Sequence, residues 1–259
     1  MIISSKRRIL IYSNSILLAS TLLFSSCKTH YGVESVSAKN IVIDESIVEN
    51  NAILEYIAPY KAHVDKEMNQ VLSYAPETLD KSKGKWETTI GNLFAQAVMD
   101  EASPVFKSRT GKTIDMCLLN YGGIRAVINQ GDVTTRTAFE VMPFENSAIV
   151  LEIKGSTIQK LAEFYIKNKT AHPLLGMNIT IDKNQEIKNI TINNQPLDVN
   201  KTYHLVTNDY LALGGDNMSF LLEAISATDI DYKLRNILIA YFNKHPQLPI
   251  ITKNYIIEE

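Results

Sequence analysis

The sequence has few cysteines and no cluster of histidines. Two cysteines and five histidines occur among its 259 residues, and successive histidines are more than thirty positions apart. A hydrolytic metal centre needs imidazoles and carboxylates that converge on one or two cations, and its histidines usually form close pairs in the sequence. No such pair is present. The sequence therefore predicts no metal ion, no other cofactor and no catalytic residue in this chain.

Two further catalytic signatures and a strong positive charge are also missing. The chain contains neither a phosphate-binding Gly-x-x-x-x-Gly-Lys-Ser/Thr loop nor a Gly-x-Ser-x-Gly turn for a nucleophilic serine. Lysine and arginine number 26 against 28 aspartates and glutamates, which gives a formal charge of -2. Proteins that coat nucleic acid present a strongly basic surface, so no nucleic-acid partner is expected.

The N-terminus has the pattern of a secretory leader. Lys6, Arg7 and Arg8 precede an apolar run over residues 9–24, which is too short and too interrupted for a membrane span. The run ends in Leu-Phe-Ser-Ser before Cys27, and this resembles a bacterial lipoprotein signal, in which the cysteine becomes the lipidated N-terminus. An ordinary leader followed by a chance cysteine is the alternative.

This pattern predicts the domain organisation and the location of the chain. We expect a signal peptide over residues 1–26, a tether over 27–46 and one globular domain over 47–259. A lipid on Cys27 would anchor the domain in the bacterial cell envelope, on the periplasmic or outer-membrane side. The other cysteine, Cys117, would then have no disulfide partner, and its apolar surroundings predict a buried, inert thiol in a strand.

Hydrophobic periodicity predicts helices and strands in irregular alternation. Apolar residues recur every three or four positions from Ile53 to Val71, which predicts a helix whose stripe faces a core. Further helices are expected after Thr89, after Gly155 and from Ile230 to Tyr241. Strands are expected over residues 114–119, 148–153, 203–207 and 250–257, with a hairpin around 183–185. This order predicts an α+β fold with mixed sheets and packed helices rather than a doubly wound sheet.

Three polar segments combine residues that a purely structural domain seldom contains. They are Asn-Tyr-Gly-Gly-Ile-Arg at 120–125, Met-Pro-Phe-Glu-Asn at 142–146 and Thr-Asn-Asp-Tyr-Leu-Ala-Leu-Gly-Gly-Asp at 207–216. Glycines let a backbone approach a ligand closely, while amide, guanidinium and carboxylate groups supply directed hydrogen bonds. Each segment also has a plainer explanation: a Gly-Gly turn, a core phenylalanine and an aspartate that caps a short helix.

These segments, together with Glu-Thr-Thr-Ile-Gly-Asn-Leu at 87–93, closely resemble the C-terminal substrate-recognition domain of the 5'-nucleotidase and UDP-sugar hydrolase family. In that family an N-terminal metallophosphatase domain carries two metal ions and the catalytic residues. The C-terminal domain clamps the nucleoside between two aromatic rings. The resemblance covers nearly the whole chain after the leader and implies that this chain corresponds to the second half alone.

The resemblance also implies substrate-binding roles for particular residues. Stacking on two aromatic rings tolerates different bases, and the polar groups would bind the base edge, the ribose and the phosphate. The implied contacts are Phe144 and Tyr210 with the base faces, Asn120 and Asn146 with the base edge, Gly123 with a closely approaching ligand, Arg125 with ribose or phosphate oxygens, and Asp216 with the ribose hydroxyls.

The sequence departs from the family pattern at several of these positions. The family often has an arginine just ahead of the Gly-Asn helix, where this chain has only lysines, at 81, 83 and 85, which lack the bidentate fork of arginine. Tyr210 stands where phenylalanine is usual, and Glu145 replaces a common glycine. The base preference therefore stays open.

Three functions are compatible with these patterns. The first is a lipid-anchored nucleotide-recognition subunit that is inactive as an isolated chain and works with a separate metallophosphatase chain, on which divalent metals are expected. The second is an envelope lipoprotein that binds nucleosides or nucleotides without hydrolysis. The third is a scaffold with a degenerate clamp, which the presence of all three polar segments argues against.

Overall fold

The computed structural model describes residues 32–259, so the predicted signal peptide and Cys27 lie outside the described part of the chain. Residues 32–50 have exposed side chains and form neither helix nor strand. The chain from Ala52 to Glu259 forms one compact unit by itself. Over the described residues, no helix is both long and apolar enough to span a bilayer.

The helices and strands alternate irregularly along the described residues. The α-helices are α1 (Asn51–Met68), α2 (Thr89–Thr110), α3 (Thr135–Val141), α4 (Gly155–Asn168), α5 (Asp209–Ala212) and α6 (Leu234–Lys244). The strands are β1 (Val71–Ala75), β2 (Met116–Leu118), β3 (Gly131–Thr134), β4 (Ser147–Lys154), β5 (Leu174–Leu175), β6 (Met177–Ile181), β7 (Ile187–Ile192), β8 (Gln195–Pro196), β9 (Thr202–Asn208), β10 (Ser226–Lys233) and β11 (Ile256–Glu258).

The strands form mixed sheets. A five-stranded sheet has the order β10-β4-β9-β2-β5, in which β2 and β9 run parallel and the other neighbours run antiparallel. A four-stranded sheet has the order β11-β6-β7-β8, with β11 parallel to β6, and β1 pairs with β3. The predicted α+β class with mixed sheets and packed helices is therefore confirmed.

Both faces of the five-stranded sheet are buried. Successive side chains of a strand point to opposite faces, so Val150 packs with α2 and α6, whereas Leu151 packs with α4 and the four-stranded sheet. Cys117 lies on the α2 side, fully buried, and burial raises the pKa of its thiol. The predicted buried cysteine in a strand is confirmed.

Local sequence explains where the longest packed helix begins and ends. The Thr88 side chain accepts a hydrogen bond from the Gly91 N–H at 3.1 Å and so caps the first turn of α2. Gly111 ends the helix with a φ of 73°, in the left-handed region that favours glycine. The helix predicted after Thr89 is therefore confirmed at its N-terminal boundary.

The apolar stripe predicted to face a core is exposed. α1 forms over most of the expected residues but ends at Met68, and Val71 begins β1. The helix has no buried side chain, and Tyr60 and Val64 are more than half exposed. Its last turn is tied to the domain by Arg136, which binds Asp65 and Asn69. Periodicity identifies an amphipathic helix but does not show whether a second surface covers it, and this is why the prediction was wrong.

Two boundaries near the C-terminus also differ from the prediction. Ile230 lies in β10, paired with β4, and the helix begins only at Leu234. The pairing register shifts between Asp229 and Lys233, where Asp231 has a φ of 51°, so the four-residue spacing from Ile230 to Leu234 only mimics a helical turn. The closing strand is limited to β11.

The sheet brings the three polar segments to one edge. β2 and β9 run parallel, so the segments that follow both strands leave from the same side of the sheet. β4 runs antiparallel to β9, with Ala148 opposite Asn208, so the segment that precedes β4 reaches that side as well. Residues distant in sequence therefore meet where these strands end.

Candidate functional site

A cavity of about 560 Å³ lies at this edge of the sheet. Most of the residues predicted to bind substrate line it, and the full lining is Asn120, Gly122, Phe144, Glu145, Asn146, Tyr210 and Asp216. Its volume is in the range of small-molecule sites in proteins. A larger groove, of about 730 Å³, lies between α4 and the β6–β7 hairpin, but no aromatic ring and no residue of the polar segments lines it.

The two predicted stacking rings are both accessible from the cavity. Phe144 and Tyr210 are each 44% exposed, so part of each ring faces solvent. They come from different segments, one before β4 and one after β9. Exposed aromatic rings in a concave site are suited to stacking against a flat ligand.

The Tyr210 ring is held by residues a few positions further along the chain. Its hydroxyl donates to Asp216 Oδ1 at 2.8 Å and accepts from the Asp216 N–H at 3.1 Å. A Cβ on Gly215 would lie 2.6 Å from two ring carbons, so the ring packs directly on the Gly215 backbone. Asp216 has a φ of 51°, which aspartate tolerates better than most residues.

The Phe144 loop, residues 142–146, is held in place by two cations near the start of α6. Arg235 is buried, forms an ion pair with the Glu145 carboxylate and donates to the Pro143 carbonyl at 3.4 Å. Lys233 Nζ donates to the Glu145 carbonyl at 2.9 Å and to Ser147 Oγ at 2.8 Å. These two cations could not be identified from the sequence, because no local pattern links them to the loop.

Asp209 connects the two ring-bearing segments. Its Oδ1 accepts from Asn146 Nδ2 at 2.6 Å and from the Tyr210 N–H at 2.8 Å. Its Oδ2 accepts from the Ser147 N–H at 3.1 Å. One carboxylate therefore fixes the Phe144 loop relative to the Tyr210 turn. The residue lies inside a predicted motif, but only the fold shows which groups it binds.

Asn120 is held in the same way by a buried neighbour. Asn208 is fully buried, and its Nδ2 donates to Asn120 Oδ1 at 2.7 Å. Gly123 is buried and does not line the cavity; a Cβ at this position would lie 2.8 Å from Asn120 Oδ1. Gly123 thus leaves room for the Asn120 side chain, and it is Gly122 that borders the cavity.

The cations near the Gly-Gly turn take different positions. Arg125 lies beside the cavity, with its guanidinium carbon 5.8 Å from the Phe144 ring centroid. Lys81 Nζ donates to the carbonyls of Tyr121 and Ile124, at 3.2 and 2.7 Å. Burial, together with the charge of Arg125, lowers the pKa of Lys81. Lys81 therefore stabilises the turn rather than presenting its ammonium to a ligand.

A second cavity of about 310 Å³ shares Gly122 and Asp216 with the first. His172 lines it and accepts from the Tyr121 N–H through Nδ1 at 3.1 Å. Burial lowers the pKa of His172, so its ring is neutral at pH 7. Across residues 32–259, no group of three or more His, Cys, Asp and Glu side chains is arranged to hold a metal ion.

The family of the chain follows from its match to a known family model. The family model for the 5'-nucleotidase C-terminal domain matches residues 68–223, which include all three polar segments. The chain belongs to the 5'-nucleotidase C-terminal domain family. The resemblance inferred from the motifs is thus confirmed, and the chain is a substrate-binding C-terminal domain of that family.

Individual relatives share this part of their chains. Protein UshA of Yersinia enterocolitica is 26% identical over 220 residues, which cover 82% of this chain and 38% of that protein. The trifunctional nucleotide phosphoesterase protein YfkN of Bacillus subtilis is 28% identical over 215 residues, which cover 73% of this chain and 14% of that protein.

A solved structure shows the same fold. The crystal structure of the 5'-nucleotidase precursor from Thermus thermophilus superposes with a TM-score of 0.65 at 24% identity, and it covers 80% of this chain and 42% of that one. The chain spans less than half the length of each of these three proteins.

Proposed function

We propose that this domain binds nucleosides or nucleotides by stacking the base between Phe144 and Tyr210. The observation that carries the proposal is the presence of these two half-exposed rings in one cavity with two amides and a carboxylate. Base stacking on an aromatic ring contributes about 1 to 3 kcal/mol per base. The family, whose relatives include nucleotide phosphoesterases by name, supports the same ligand class.

The polar groups of the cavity would bind the rest of the ligand. One oxygen of the Asp216 carboxylate accepts from Tyr210, and the other is available to accept from a ribose hydroxyl. Arg125 lies next to Phe144 and would donate to ribose or phosphate oxygens. Asn120 and Asn146 would form hydrogen bonds with the base edge. The Gly122–Gly123 turn would let the ligand approach the backbone.

The chemistry of phosphate-ester hydrolysis would lie on a separate metallophosphatase chain. Its divalent metals would supply an activated water, while this chain holds base and sugar and contributes by positioning the substrate. Lipidation of Cys27 would keep the pair at the bacterial cell envelope. The isolated chain is then expected to bind nucleotide without turnover.

Calorimetric titration of the purified chain with adenosine and AMP tests the clamp. Phe144→Ala and Tyr210→Ala should each weaken binding by at least about 1 kcal/mol because each removes one stacking face. Tyr56→Ala, which removes an exposed ring on α1, is the matched control and should bind like the wild type. Equal affinity in all of these proteins would refute the stacking assignment.

Phosphate release from AMP tests whether hydrolysis requires a separate metallophosphatase chain. The chain alone, with Mn²⁺ or Zn²⁺, should release none, and addition of a metallophosphatase encoded next to it should restore hydrolysis. Turnover by the chain alone would contradict the proposal. Nucleoside binding without hydrolysis in either mixture would instead favour a lipoprotein that only captures its ligand.

A further inference from the structure

The hydrogen-bond polarity of the two cavity amides is set by their neighbours. An asparagine side chain ends in one acceptor oxygen and one donor nitrogen of nearly equal shape, and its partners decide which end it presents. In this cavity, each amide is bound on one side, directly or through one other side chain, to a group that can only accept or only donate a hydrogen bond. The free end of each amide can therefore be deduced.

Asn146 is oriented by a carboxylate. Asp209 receives N–H donors from Asn146, Ser147 and Tyr210, so both of its oxygens act as acceptors. A carboxylate cannot donate, so Asn146 must turn Nδ2 toward it. The atom that Asn146 leaves for a ligand is its acceptor, Oδ1.

Asn120 is oriented by a backbone N–H that acts through the side chain of Asn208. The Leu211 N–H can only donate, and it donates to Asn208 Oδ1 at 2.8 Å. Asn208 must then use Nδ2 toward Asn120, which accepts through Oδ1. The atom that Asn120 leaves for a ligand is its donor, Nδ2, next to the cavity-lining Gly122.

We infer that Asp209 and Asn208 are positioning residues that fix the two amides in opposite polarity. The cavity then selects a base that offers an N–H donor to Asn146 and a ring-nitrogen or carbonyl acceptor to Asn120. This inference rests on the proposed function and deepens it. Adenine, guanine, cytosine and uracil carry both kinds of group, whereas unsubstituted purine, joined to ribose, carries acceptors only.

Adenosine and purine riboside are the probes, because they have the same ring system and differ only in the exocyclic amino group. Stacking on Phe144 and Tyr210 should be nearly equal for the two. The wild-type chain should bind adenosine at least about fivefold more tightly in calorimetric titration, since purine riboside leaves Asn146 Oδ1 without a donor. Asn146→Ala should bring this affinity ratio close to one.

A substitution at Asp209 tests the positioning role. For this purpose the substitution is Asp209→Ala, which removes both acceptor oxygens, so Asn146 is no longer held in one orientation and the adenosine preference should fall toward one. A merely structural defect would weaken both ligands equally and leave the ratio unchanged. Asp132→Ala removes the same side chain from an exposed site on β3 and should retain the wild-type ratio.

Asn120→Asp tests the other amide and remains informative if Asp209→Ala does not fold. It keeps an acceptor for Asn208 but replaces the free donor with an acceptor. Both nucleosides should then bind at least about fivefold more weakly, with their ratio preserved. Unchanged affinity in Asn120→Asp would overturn the inference.

The remaining outcomes separate this inference from the proposed function. If neither nucleoside binds the wild-type chain, the proposed function fails, and the inference fails with it. If both bind with equal affinity, nucleoside binding stands and the assigned polarity is wrong. If folded Asp209→Ala keeps the wild-type ratio, Asp209 is not a positioning residue.

Discussion

Phe144 and Tyr210 are equally exposed but are held by different means. The Phe144 loop depends on Arg235 and Lys233, which lie about ninety positions further along the chain. Tyr210 depends on Gly215 and Asp216, which follow it within the same turn. The distant wall of the cavity, which carries Phe144, therefore needs the whole fold to be in place. The local wall, which carries Tyr210, is built largely from its own segment. The difference predicts how each wall responds to substitution.

Gly215→Ala should have the largest effect and should act on the local wall alone. The added Cβ would lie 2.6 Å from two Tyr210 ring carbons and from the Tyr210 carbonyl oxygen, so the ring must leave its position. Because one stacking face is lost, adenosine affinity should fall by roughly tenfold or more in calorimetric titration. Leu213→Ala alters an exposed side chain of the same turn and should bind normally. Normal binding by Gly215→Ala would show that the ring does not need this support.

Arg235→Met should have the next largest effect and should act on the distant wall. The substitution removes the donors to Glu145 and Pro143 but leaves the exposed Glu145 carboxylate free to be hydrated. Amide hydrogen exchange should rise in the peptide that covers residues 142–147 and stay unchanged in residues 209–217. Adenosine affinity should fall about threefold to tenfold, as for the loss of one or two hydrogen bonds. Faster exchange in both peptides would erase the distinction between the walls.

Tyr210→Phe should have the smallest effect and shows how much the hydroxyl contributes. The ring would still rest on Gly215, but the hydrogen bonds to Asp216 would be lost. Adenosine affinity should fall only about twofold, roughly 0.5 kcal/mol, because the stacking face remains. Tyr56→Phe on α1 is the matched control. A loss as large as that in Tyr210→Ala would mean that the hydroxyl, and not Gly215, holds the ring.

The sequence predicted the cavity residues better than the contacts that organise them. Asn120, Phe144 and Tyr210 could be selected because their motifs combine residue types that bind ligands. Asp209 and Arg235 could not, because their roles come from contacts made after strands β2, β4 and β9 have aligned. The reason for Gly123 was equally invisible, since the side chain that it accommodates belongs to its own segment and folds back over it.

The fold class was predictable, but burial was less so. Alternating and helical patterns predicted β4, α4 and the β6–β7 hairpin. These predictions were correct because the apolar faces of these elements are covered in the structure. The same kind of pattern failed for α1, whose apolar face lies exposed. It also failed for Ile230, where a strand residue happened to fall in helical register with Leu234. Periodicity records which face is apolar, and only tertiary packing decides what that face meets.

The single carboxylate shared by the two ring-bearing segments also limits how the site can change. Groups that share one partner do not contribute independently, so paired substitutions on the two segments should be non-additive. A substitution at Asp209 should therefore disturb residues of both segments at once. In design terms, Asn146, Ser147 and Tyr210 form one coupled group around Asp209, while each ring keeps its own separate support.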